Sequence, residues 1–102
     1  MELGLKGKVA LVSAGSKGLG YGIARALADE GARVAICSRD AANVEAAVAS
    51  LRAETGAEVI GTACDVTKPE QLQAWIDSAA AWGPVHALLV NAGGPPGGLA
   101  LE

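Results

Sequence analysis

The chain has no phenylalanine, one tyrosine and two tryptophans among its 102 residues. Aromatic platforms on which nucleic-acid bases could stack are therefore scarce. Basic residues are also a minority: eight Lys and Arg stand against eleven Asp and Glu, for a formal net charge of −3. No basic stripe is left to neutralise a phosphate backbone, so no nucleic-acid partner is expected. Charge or glycine interrupts every apolar stretch before it reaches membrane-spanning length. Met1 to Lys8 holds no apolar core of the signal-peptide kind. A cytoplasmic protein with no membrane partner is the expectation. The two cysteines, Cys37 and Cys64, form no Cys-x-x-Cys pair. Two thiols make no disulfide framework, and both read as small buried hydrophobes. No metal site is expected.

What is present is apolar and rich in glycine. Hydrophobic residues make up 51% of the chain, enough for the core of one domain spanning 1–102. Short Val-rich runs alternate with helical patterns. Lys8 to Ser13 reads as a strand buried on both faces. Gly18 to Glu30 reads as a helix, with Ile23, Ala24, Leu27 and Ala28 at helical spacing and Gly31 as its stop. Arg33 to Ser38 is a second strand. Ala41 to Glu54 is a second helix, capped by Asp40, with Val44, Val48 and Leu51 as its stripe. Glu58 to Cys64 is a third, weaker strand. Thr67 to Glu70 carries a capping box, in which Thr67 caps a third helix and Glu70 bonds back to it. Pro69 is tolerated in that first turn, and Leu72, Trp75, Ile76 and Ala79 form the buried stripe. His86 to Val90 is a fourth strand, and Asn91 to Gly98 is a loop by composition.

Strands spaced by helices predict βαβ units, a parallel sheet and helices on both faces. The expected strand order is 3-2-1-4. In such a doubly wound α/β sheet the ligand crevice opens where the order reverses, at the carboxyl ends of strands one and four.

The first strand runs into Ser13-Ala14-Gly15-Ser16-Lys17-Gly18-Leu19-Gly20. A glycine-rich turn between a buried strand and a helix lets a phosphate approach the backbone closely. The helix then aims unpaired N–H groups and its dipole at the anion. The spacing is neither Gly-x-Gly-x-x-Gly nor a P-loop, whose Lys-Ser/Thr pair is missing. The bland alternative is a tight turn with no ligand. The second strand ends in Ser38-Arg39, where NAD users commonly place an acidic residue. A guanidinium there suits a 2′-phosphate in charge and fork geometry. The third strand ends in Cys64-Asp65-Val66, and the fourth in Val90-Asn91-Ala92-Gly93.

Taken together, these segments resemble the amino-terminal half of the short-chain dehydrogenases/reductases, with 3-oxoacyl-(acyl-carrier-protein) reductase-like members nearest in character. The resemblance spans about Leu5 to Gly98 and implies a Rossmann-type sheet. The glycine segment resembles the family's Thr-Gly-x-x-x-Gly-x-Gly, with Ser13 for the Thr and Ala14 for the first glycine. Val90 to Gly93 is similar to its Asn-Asn-Ala-Gly, with Val90 for the first Asn. The resemblance implies NADP(H) as cofactor in preference to NAD(H). It assigns Ser13, Gly15, Ser16, Lys17, Gly18, Leu19 and Gly20 to the pyrophosphate, with Lys17, Ser38 and Arg39 near the 2′-phosphate. Asp65 and Val66 would hold the adenine, and Asn91, Ala92 and Gly93 the nicotinamide side. It further implies reduction of a ketone or 3-oxoacyl substrate by a Tyr acid, a Lys four residues later and a Ser. Tyr21 is followed at that spacing by Arg25, so no catalytic role is assigned. The chain is expected to stop before those residues, to need them for any carbonyl substrate, and to self-associate through an open edge of the fourth strand. A non-catalytic NADP(H)-binding module is the alternative. A methyltransferase fits less well, because it would want a carboxylate where Ser38-Arg39 stands.

Overall fold

A computed structural model of the chain describes residues 6–13, 18–89 and 99–101. The Val-rich first run forms β1 (Val9–Ser13), buried at every position. It is followed by α1 (Gly18–Asp29), β2 (Arg33–Ser38), α2 (Ala41–Thr55), β3 (Val59–Ala63), α3 (Pro69–Trp82), β4 (Val85–Leu89) and β5 (Leu99–Leu101). The sheet order is β3-β2-β1-β4-β5, so the expected 3-2-1-4 order of a Rossmann-type sheet holds. These four strands pair in parallel. In register, Ser13 lies beside Cys37 and Ser38 beside Ala63. The carboxyl ends of β1, β2 and β3 therefore open at one level, which is where the ligand-binding edge of such a sheet lies.

The pleat sends alternate residues to opposite faces. Val34 and Ile36 of β2 pack with Val12, Ala24, Ala28, Val44 and Leu51, which places α1 and α2 on one face. Ala35 and Cys37 pack with Val9, Leu11, Trp75 and Ala79, which places α3 on the other. Each fully buried aliphatic side chain contributes about 1.5–3 kcal/mol, so both clusters matter to a chain this small. At Gly61 the helix and the edge strand come unusually close. A Cβ there would sit 2.3 Å from Val44 Cγ1 and 2.6 Å from Val48 Cγ2.

At the amino-terminal end of β2, Arg33 clamps three elements. It pairs with Glu58 at 3.0 Å, donates to the Trp82 carbonyl at 2.9 Å and lies 5.7 Å from the Trp82 ring centroid. Trp82 covers the edge of the core there, half-buried against it. This end of the sheet is remote from the crevice.

Two expectations are corrected. The capping box does not form: Lys68 is the N-cap of α3, and no side chain caps it. The Asp65 carboxylate, two residues before Thr67, takes the Thr67 N–H instead, so Glu70 has no donor to reach. Nor is the outer edge of β4 open. Leu99, Ala100 and Leu101 pair with it antiparallel, giving its backbone groups partners. The edge through which self-association was expected is therefore filled. The Asp40 cap is as expected, accepting from the Ala42 and Asn43 N–H groups at 2.9 and 3.2 Å.

Candidate functional site

Ser13 closes β1 and is buried. Four residues, 14–17, separate it from α1 and lie outside the described residues. The assignments to Gly15, Ser16 and Lys17 lie there too. Gly18 opens α1 with φ at 64°, a left-handed conformation that a side chain would strain. This is the physical requirement for glycine at that position of the motif. Leu19 and Gly20 continue the first turn, and Gly20 is buried. The first N–H groups of an α-helix have no intrahelical acceptor, and those of α1 follow the end of β1 by a short connection. Asn91, Ala92 and Gly93 fall outside the described residues.

The adjoining strand ends are described in full. Arg39, Ala63, Cys64, Asp65 and Gln71 line one open pocket of about 300 Å³. Two residues chosen from distant parts of the sequence, Arg39 and Asp65, thus share a wall. Parallel pairing is the cause: Arg39 follows the end of β2, and Asp65 lies just past the end of β3. Arg39 is exposed. Ser38 is half-buried beside it, and its Oγ accepts from the Asp40 N–H at 3.2 Å.

Asp65 is held by its own turn. Its Oδ1 accepts the Thr67 hydroxyl at 2.6 Å and the Thr67 N–H at 3.0 Å. These bonds keep its carboxyl below the ordinary aspartate range. Partial desolvation opposes them, and the charges of Arg39 and Lys68 add smaller contributions in the same downward direction. An ionised Asp65 is an acceptor only. The pocket thus offers a cation and a fixed acceptor side by side, suiting a ligand with an anionic group and an amino-bearing ring. Val66 is half-buried against the core and anchors the turn.

Gln71 was not marked by the sequence reading. Its Oε1 accepts the Asp65 N–H at 2.9 Å, and its carbonyl accepts from Cys64 Sγ at 3.5 Å. Nothing in a lone glutamine near a helix start signals such a bond. Cys37 and Cys64 are both buried, as expected. Burial pushes the Cys64 thiol up, with the Cys37 hydrogen bond opposing and the Asp65 charge reinforcing. That leaves little nucleophilic thiolate.

A second depression, of about 370 Å³, lies between α2 and β3. None of the candidate cofactor-binding residues lines it, whereas Val44 and Val48 of the α2 stripe do. Tyr21 bonds to Glu54 across α1 and α2, and its phenol is raised above the ordinary tyrosine value, chiefly by that bond. Among the described residues, no cluster of three or more His, Cys, Asp or Glu could hold a metal ion. No helix among them is long and apolar enough to cross a membrane.

The chain is similar to known proteins in sequence and in fold. The sequence pattern of the family described as short chain dehydrogenase matches residues 8–102. The fold is similar to L-sorbose reductase from Gluconobacter frateurii, solved with NADPH and L-sorbose. The TM-score is 0.85 at 35% identity, covering 92% of this chain and 36% of that one. An actinorhodin polyketide ketoreductase solved with NADPH is similar at a TM-score of 0.80 and 39% identity, over 90% of this chain and 35% of that one. A short chain dehydrogenase/reductase from Burkholderia phymatum, solved with NAD, is similar at 0.76 and 38%, over 82% and 30%. The chain spans about a third of the length of the curated relatives it matches.

Proposed function

The chain belongs to the short-chain dehydrogenase family, and from that premise we propose that it is the NADP(H)-binding portion of an enzyme that reduces a ketone or 3-oxoacyl substrate by hydride transfer. The observation that carries the reading is the shared pocket of Arg39 and Asp65 beyond the ends of β2 and β3. α1 begins at Gly18, in the segment that directly follows β1, the strand beside β2.

The dinucleotide, when bound, supplies the hydride. This chain's residues bind and orient it. The start of α1 would hold the pyrophosphate with its N–H groups, and the helix dipole favours that charge. Arg39 would hold the 2′-phosphate with its guanidinium fork, with Lys17 and the Ser38 hydroxyl assigned beside it. Asp65 accepts from the adenine amino group, and Val66 offers its backbone. Asn91, Ala92 and Gly93 would hold the nicotinamide side. Proton donation to a carbonyl needs a general acid, and a neighbouring cation tunes such an acid. Tyr21 with Arg25 does not reproduce the family's Tyr and Lys, so neither is given the proton-donating role. The protein works in the cytoplasm on this reading, and residues 1–102 act as one half-domain.

Arg39→Ala tests the assignment, with binding followed by dihydronicotinamide fluorescence. A charge-assisted hydrogen bond is worth about 1.5–3 kcal/mol, so NADPH affinity should fall about tenfold to a hundredfold. NADH affinity should hardly change. An equal loss for both cofactors would remove Arg39 from the 2′-phosphate.

A further inference from the structure

Resting on the dinucleotide reading above, we propose that Gln71 is a positioning residue that presets Asp65 to select the amino-bearing edge of adenine. Gln71 stands in the first turn of α3 and lines the same pocket as Arg39 and Asp65. Two of its bonds tie the helix start to the strand end, and a third closes the helix start itself. Its Oε1 accepts the Asp65 N–H at 2.9 Å. Its carbonyl accepts from Cys64 Sγ at 3.5 Å. Its own N–H donates to the Lys68 carbonyl at 3.0 Å. The first bond also settles which end of the amide is oxygen, because only an oxygen can accept there.

The carboxylate of Asp65 is fixed from the other side. Both Thr67 donors converge on Oδ1. Among the described residues, no side chain or backbone group donates to Oδ2, so that oxygen keeps its capacity to accept. Gln71 thus holds the backbone of Asp65 while Thr67 holds one of its two oxygens. What remains is one acceptor at a set place beside Arg39.

That arrangement discriminates between purines. Adenine presents an amino donor at the position where hypoxanthine presents a carbonyl acceptor. A carboxylate fixed against that position bonds the first and repels the second. If the turn is loose, the carboxylate can swing away from the carbonyl, and the repulsion is lost together with the bond. The selectivity therefore depends on the brace as well as on Asp65. The bonds involved are near the surface, so each contributes modestly. The expected effect is about threefold to tenfold in the selectivity ratio, as for one ordinary hydrogen bond.

The experiment compares the Kd of NADPH with that of its hypoxanthine counterpart, both read by dihydronicotinamide fluorescence. The chain with its native sequence should bind NADPH more tightly. Gln71→Leu, which removes the acceptor at similar size, should shrink that preference about threefold to tenfold. The NADPH-to-NADH ratio set by Arg39 and the thermal midpoint should stay where they were. Gln71→Glu keeps an acceptor oxygen at the same reach and should restore the adenine preference. An unchanged adenine preference in Gln71→Leu would overturn the proposal while leaving the cofactor assignment standing. So would a parallel collapse of both ratios and of the thermal midpoint, which would mark Gln71 as merely structural. If the native chain binds neither purine dinucleotide, the cofactor reading itself fails and the proposal fails with it.

Discussion

Replacing Gly61 by alanine should destabilise the fold, although the change adds a single methyl group to an exposed stretch of an edge strand. The added Cβ would stand 2.3 Å from Val44 Cγ1 and 2.6 Å from Val48 Cγ2, well inside van der Waals contact. Val48 is half-buried and can give a little. Val44 cannot: it is 3% exposed, packed with Leu51 and Ile36, and β-branching leaves it one favoured rotamer in a helix. Either α2 lifts from β3 or Val44 leaves its rotamer. Overpacking of this kind costs about 1–3 kcal/mol. Stiffening the unfolded chain returns about 0.4–1 kcal/mol, so the central net loss is about 1.3 kcal/mol, with an upper end of about 2.6 kcal/mol. For a domain of this size that corresponds to a fall in Tm of about 5–15 °C. Gly22→Ala is the control. It lies inside α1 with nothing within 4 Å of the new Cβ, and helix propensity should make it stabilising by about 0.8–1 kcal/mol. Thermal and urea melts followed by circular dichroism would read both. The collision is further tested by Val44→Ala in the Gly61→Ala background, where the two losses should fall short of additive by at least about 0.5 kcal/mol. A Gly61→Ala protein as stable as its parent would refute the close packing of α2 on β3.

Asp40→Ala should lower the urea midpoint by the equivalent of about 0.5–2 kcal/mol, because two N–H groups of α2 lose their acceptor. Asp40→Asn should recover most of it, and equal losses for both variants would contradict a capping role. The Asp65 carboxyl should titrate below the ordinary aspartate value in carboxyl-resolved NMR, since Thr67 bonds its ionised form. The sign follows from the direction: a folded value below the unfolded one stabilises fully above the unfolded value and loses that contribution as pH falls through the folded one. Thr67→Val, which deletes the hydroxyl donor, should move the midpoint upward, and a midpoint that stays put would show that the hydroxyl does not hold the carboxylate.

Much of the fold was legible because its signals are local. Val9 to Val12 are apolar without alternation, and a strand buried on both faces is what such a run makes. Gly31 and Asp40 mark helix boundaries through their own backbone and side chain. The meeting of Arg39 with Asp65 was legible at one remove, since residues just past adjacent parallel strands must lie near one another. The misreadings involve competition between partners. Thr67 to Glu70 has the letters of a capping box, yet Asp65 reaches the Thr67 N–H first through a turn only two residues long. Gln71 was missed for a related reason: its bond to the Asp65 amide exists only once the 65–68 turn has folded. The pairing of Leu99–Leu101 with β4 follows a Gly- and Pro-rich stretch and has a length of three residues, too short to carry a periodic signal.

On the proposed function, the ends of β1, β2 and β3 form a nicotinamide dinucleotide site selective for the 2′-phosphate. A fluorescence titration of the folded chain with NADPH, and then with NADH, tests it most directly. Saturable binding of both, tighter for NADPH, is the predicted result. Absence of binding by either, with the circular dichroism spectrum of the fold intact, would contradict the claim.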